Sequence, residues 1–224
     1  MRLNRIMSRK KYEEFYGSPL DQMPRLIADN RIPMSSAQLM KKRLELRNYD
    51  YAKLKEDWMD NYFDTGDGAL YMPDGSLIVV YDFQALKNMT PRSKLIGRAL
   101  DLKDLDLKDV NGQTFTKAEL EKLIIGKGLT LEQARTHPIW QALARGDNKL
   151  ANDYAKMIFE DNGYDTAMSI FLDSPSKDQK MRAWYIDGTD DRSDVSGSFN
   201  LDYYNSRLVG IASEMQETRW GERQ

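Results

Sequence analysis

Ala69-Leu70-Tyr71-Met72-Pro73-Asp74-Gly75-Ser76-Leu77-Ile78-Val79-Val80-Tyr81 reads as a β-hairpin. Two β-prone runs, 69–72 and 76–81, flank a Pro-Asp-Gly turn. Pro73 fixes φ, Asp74 can bond its own backbone, and Gly75 accepts positive φ. An antiparallel pair inside a chain otherwise punctuated by helix caps decides the fold class.

On the N-terminal side, Ser18-Pro19-Leu20-Asp21 is a helix start with a cap, Pro at the first position and an acid in the first turn. Pro24 and Pro33 are expected to interrupt any long helix. Ser35 with Gln38 forms a capping box and Met34 with Leu39 a hydrophobic staple, which predicts a helix over 36–47. A further helical piece is expected over 51–59. On the C-terminal side, strands are expected around 97–102 and 113–115. Thr116 with Glu119 and Thr130 with Gln133 are capping boxes, with Gly126 placed to end the first helix. Pro138 opens a short helix closed by Gly146. Asp147 caps an amphipathic helix over 148–161, with Leu150, Tyr154 and Ile158 on one face. Strands follow at 167–172, 181–186 and 207–212, and a polar loop, 187–205, separates the last two. Helices, hairpin, helices, strands is not a βαβα alternation. It predicts an α+β fold, with a helical N-terminal head and central helices packed on a partly antiparallel β-sheet.

Charge divides the chain. Residues 1–55 carry a net charge of +7 and residues 56–224 a net charge of −9. The division suggests a basic helical head, 1–55, and an acidic α+β domain, 56–224, which could also form one continuous domain. With 41% hydrophobic residues the chain can build a core. The absence of Cys excludes disulfides, thiolate nucleophiles and Cys-ligated metals. A single His excludes multi-His metal sites and leaves only His137 for a Ser-His-Asp triad. No run approaches the length of a membrane span, and the basic N-terminus lacks the apolar stretch of a secretory signal. A soluble, cytoplasmic protein is the expectation.

Candidate sites are few. Asp60, Asp64 and Asp67, with Gly66 and Gly68 between and after the last two, offer oxygen ligands for Mg²⁺ or Ca²⁺. The spacing is not that of an EF-hand, and the plainer reading is a helix-ending turn leading into the hairpin. Asp187 and Asp190 belong to a second acidic cluster, 187–194, which also reads as a solvated loop. His137 precedes Pro138 at a helix start, where satisfying helix-end backbone or packing beside Trp140 is the plainer role. No Walker A, Gly-x-Gly-x-x-Gly or Gly-x-Ser-x-Gly pattern is present. Arg2, Arg5, Arg9, Lys10 and Lys11 form a basic arm, and Lys41, Lys42, Arg43 and Arg47 lie on the 36–47 helix. Together they suit a phosphate backbone, a second copy of the chain, or the protein's own acidic part.

Ser18-Pro19-Leu20-Asp21-Gln22-Met23-Pro24, the stretch Trp58 to Gly68, His137-Pro138-Ile139-Trp140 and Met181-Arg182-Ala183-Trp184 together resemble a group of uncharacterised small proteins of archaeal genomes. The resemblance spans most of the chain and implies no activity, cofactor or site residue. The functional expectation therefore comes from the residues. It is a non-enzymatic binding or adaptor protein with a macromolecular partner or self-association, without a cofactor or catalytic residue. Nucleic acid through residues 1–47 is one possible partner. The alternative is a divalent-metal-dependent hydrolase or nuclease built on the clustered Asp residues.

Overall fold

The computed structural model describes residues 11–48, 52–103 and 110–213. Its frame is one mixed sheet. The central strand, β3 (Phe63–Tyr71), forms the expected hairpin with β4 (Leu77–Val80). Between them, Ser76 N–H donates to Asp74 Oδ1 at 2.9 Å and Gly75 holds φ at 85°. On its other edge β3 pairs antiparallel with β9 (Lys180–Ile186), while β11 (Arg207–Ala212) pairs parallel with the start of β3 on the edge that β4 also occupies. β1 (Tyr12–Tyr16) and β2 (Arg31–Pro33) both add antiparallel to β11. β10 (Val195–Ser196) joins β9 to β8 (Ile170–Phe171). β6 (Ala99–Asp101) joins β9 to β5 (Leu95–Ile96), and β7 (Gly112–Phe115) extends β4.

The head is not simply helical. α1 (Pro19–Ala28) and α2 (Ser36–Leu46) are there, capped by Ser18 and by the Ser35–Gln38 box. Pro24 lies inside α1 instead of ending it. Residues 12–16 and 31–33 are strands of the main sheet, because β11 offers them backbone partners that no local pattern announces. α3 (Ala52–Met59) leads into β3. After the short α4 (Gln84–Lys87) come α5 (Lys117–Leu120), α6 (Leu131–Thr136), α7 (Pro138–Leu143) and α8 (Asn148–Asn162). α5 stops well before Gly126, whose N–H instead bonds to Ile170 O. The expected strand at 167–172 shortens to β8.

Alternation along the central strands fills two cores. One face of the sheet sends Phe63, Ala69, Tyr71, Val79, Trp184 and Ile186 toward α2, α3 and α6–α8. The other sends Leu70, Val80, Met181 and Leu208 toward α1 and α4, against Met23, Leu26 and Leu86. All nine residues of β3 are buried. Two-sided burial of apolar area, at about 25 cal/mol per Å², is the main term holding the sheet.

β3 also corrects the reading of the Asp-Gly stretch as a turn. The pairing of β3 with β9 shifts register between Asp64 and Gly68, so the acidic residues sit in an irregular, buried strand. Its glycines answer close approach. A Cβ on Gly66 would lie 2.9 Å from Pro33 Cγ, and one on Gly68 2.7 Å from Met181 Sδ.

Candidate binding face

The carboxylates proposed as metal ligands have separate engagements. Asp64 accepts from the Arg207 backbone N–H at 3.2 Å, and burial pushes its carboxyl up to about 7. Asp67 is fully buried, accepts from Ser36 N–H at 2.7 Å and pairs with Arg145 Nη2 at 3.0 Å. The same guanidinium reaches Asp82 at 2.8 Å. Asp187 accepts from Tyr185 Oη at 2.5 Å. Asp60 and Asp190 are exposed. The two acidic segments do meet through backbone, where Thr189 N–H donates to Met59 O at 2.5 Å. Yet among the described residues no three His, Cys, Asp or Glu side chains come together as a metal-holding group. The described residues thus lend the metal-dependent hydrolase reading no support.

The basic candidates also spread out. Arg2, Arg5, Arg9 and Lys10 lie outside the described residues. Lys11 is exposed, with Nζ 5.1 Å from the Tyr12 ring centre. Lys41 is exposed. Lys42 lies 3.5 Å from Glu45 and over the Tyr12 and Trp58 rings. Arg47 binds Asp161 at 2.5 Å and Glu160 at 3.2 Å. Arg43 faces no surface at all: it is fully buried, which corrects its place among the surface cations. His137 caps α7. Its Nδ1 accepts from Ile139 N–H at 3.3 Å and Nε2 lies 3.2 Å from Ile124 O, the pattern of a ring protonated on Nε2. Burial lowers its pKa, favouring the neutral ring, against the opposing Ile124 hydrogen bond.

Arg43 does something else. Its guanidinium donates to Trp58 O (3.0 Å), Asn61 O (2.7 Å), Asp187 O (2.8 Å) and Tyr154 Oη (2.7 Å). No carboxylate is among these acceptors. The fork ties the end of α3 to the loop after β9, mostly through main-chain oxygens. Arg182, also buried, plays the same part farther along. It donates to Gly97 O (2.7 Å), Phe199 O (3.1 Å) and Asn200 Oδ1 (3.0 Å), and pairs with Asp173 at 2.8 Å.

At the end of β9 and on the loops so anchored, five aromatic rings adjoin one another. Tyr62 lies 5.4 Å from Tyr185 between ring centres. Tyr185 stacks on Phe199 at 4.4 Å, with planes 4° apart. Phe199 meets Tyr203 edge-on at 5.3 Å, and Tyr203 adjoins Tyr204 at 5.5 Å. Tyr185 is nearly buried, Tyr62, Phe199 and Tyr203 are half-buried, and Tyr204 is 73% exposed. Tyr62 Oη donates to Asn205 O, closing the run onto the last loop. Asp187 lies at the edge of the rings. Burial, reinforced by Asp191 and Asp194, raises its carboxyl to about 6 against the opposing Tyr185 hydrogen bond. Burial and the same bond raise the Tyr185 hydroxyl well above its usual range. None of these five residues was singled out from sequence. The available signal was compositional, an aromatic-rich ending to the polar loop 187–205.

A separate hollow of about 240 Å³ opens at the hairpin end, between Tyr71, Met72, Leu120 and Leu172. Its exposed wall is largely apolar, with Lys117, Glu121 and Asp173 also on its lining. No described helix is long and apolar enough to cross a membrane.

Comparison with protein-family models and with curated proteins gives no match. Among solved structures, the chain is similar to a Nanoarchaeota protein described by the words "Accommodation of massive sequence variation in Nanoarchaeota by the C-type lectin fold". The likeness has a TM-score of 0.67 and 16% sequence identity, and covers 91% of this chain and 99% of that one. It shows the fold, and meets the resemblance to archaeal proteins at that level only.

Proposed function

We infer that this C-type lectin fold is a binding module, and that the run from Tyr62 to Tyr204 is where it holds a macromolecular partner. The observation that carries the reading is a part-exposed aromatic surface on loops whose backbone is fixed from beneath by Arg43 and Arg182. Tyr offers large, stiff contact area with a polar tip, so ordering it on binding costs little entropy. Eleven of the 22 residues from Tyr185 to Ser206 are Tyr, Ser, Gly or Asn, the mixture that recognition loops favour.

The words describing the similar structure concern sequence variation carried by that fold. We propose the same tolerance here for the outward side chains. The clamps grip mainly main-chain oxygens, so replacing Tyr203 or Tyr204 removes no anchoring bond. A photo-reactive phenylalanine analogue at Tyr204, compared with one at Lys149 on α8, tests the binding reading in extracts of the source cells. Saturable cross-linking to a discrete partner at position 204, competed by unlabelled parent protein, is expected. Cross-linking to the same species from position 149 and not from 204 would overturn it.

A further inference from the structure

We propose that the partner of this face presents Lys or Arg side chains, as a cationic peptide segment laid along the rings between Tyr62 and Tyr204. This rests on the binding reading above and adds the chemistry of the ligand. Two independent features point to it. The first is the accessible ring area, foremost the exposed Tyr204, because aromatic π faces carry partial negative charge and attract ammonium and guanidinium groups, while Tyr185 and Phe199 turn one face to each other. The second is the sign of the surrounding charge. From Tyr185 to Ser206 the chain holds five Asp and one Arg. Asp187 lies at the ring edge, and Asp190 and Asp191 are exposed farther along the same loop.

Most cations near the face are already committed, and Arg192, exposed on the same loop, is outnumbered there by Asp187, Asp190, Asp191 and Asp194. Arg98 lies 2.8 Å from Asp202. Arg207 is buried over the Phe63 ring and pairs with Glu14 at 2.8 Å. Arg43 spends its donors inward. An incoming cation therefore meets ring faces and carboxylates with little competing positive charge, whereas a phosphate backbone would meet repulsion.

Peptides on one Gly-Ser framework, bearing Arg, Gln or Glu at the same positions, serve as probes. Binding is followed by NMR of ring-labelled tyrosines in the whole chain, with Tyr204→Ala and Asp187→Asn as variants. The Arg peptide should shift the Tyr62, Tyr203 and Tyr204 signals, bind about tenfold more tightly than the Gln peptide, and weaken as salt rises. Both variants should weaken it, and the exposed Tyr204→Ala site keeps that comparison free of folding effects. Equal binding of the Gln peptide, or a preference for the Glu peptide, would overturn the cationic assignment while leaving a peptide-binding face. Arg-peptide binding that leaves the face tyrosines unmoved would place the attraction elsewhere and also overturn it. If no peptide binds, the cationic assignment falls, and the cross-linking at position 204 still judges the binding reading by itself.

Discussion

Asp64 keeps a carboxyl inside the sheet without a salt bridge, next to the Arg207 backbone N–H. Its pKa stands at about 7 when folded against an ordinary 3.8. Between those values the folded chain holds a proton that the unfolded chain has released. This group's contribution is therefore most favourable at low pH and is lost as pH rises through 7. The full shift corresponds to at most about 4 kcal/mol. Asp64→Asn keeps the acceptor for Arg207 N–H and removes the titration. Urea melts at about pH 5 and pH 8 should show the variant gaining on the parent at the higher pH. If parent and variant lose stability in parallel, the buried carboxyl is not responsible. Burial also raises the Asp67 carboxyl, here against the opposing pull of Arg145, 3.0 Å away. Asp67→Ala leaves the buried Ser36 N–H without its acceptor, while the part-exposed Arg145 keeps Asp82, and should destabilise by about 1–3 kcal/mol in the same melts.

At the level of elements, caps were readable because both partners lie within one turn. Ser35 with Gln38, Thr116 with Glu119 and Thr130 with Gln133 all form the expected reciprocal bonds. The amphipathic stripe of α8 was readable for the same reason, since its period is local. Leu150, Tyr154 and Ile158 are all buried. Ile158→Ala should cost roughly 2–5 kcal/mol by denaturant melt, and a variant matching the parent would show that the stripe does not carry the core. What could not be read depends on partners far away in sequence. Asp64 and Asp67 look like turn residues until Arg207, Ser36 and Arg145 close around them. Arg43 looked like a surface cation because its acceptors, at 58, 61, 154 and 187, share no pattern with it. Arg43→Met should lower stability by about 3 kcal/mol or more and loosen the 187–194 loop, seen as faster amide exchange there. Unchanged exchange in that loop would deny Arg43 its clamping part.

For the whole molecule, the two cores share β3, β4, β9 and β11, so neither can come apart without exposing the other's floor. Thermal unfolding followed by tryptophan fluorescence and by far-ultraviolet circular dichroism should give coincident, single transitions. Separated midpoints would mean that the layer under α1 melts alone. The aromatic run was invisible in sequence because its rings come from 62, 185, 199 and 203–204 and meet only when β3 and β9 pair. The antiparallel pair β1–β11 sets the orientation of everything above it. At one end Lys11 O accepts from Ala212 N–H at 3.1 Å; at the other Tyr16 stands opposite Arg207, beside Tyr62. Five residues of strand separate the two ends, roughly 17 Å. The described chain thus enters and leaves the sheet at one spot, and the rings gather at the far tip. Held on a solid support through that spot, the protein would turn its tyrosines away from the surface.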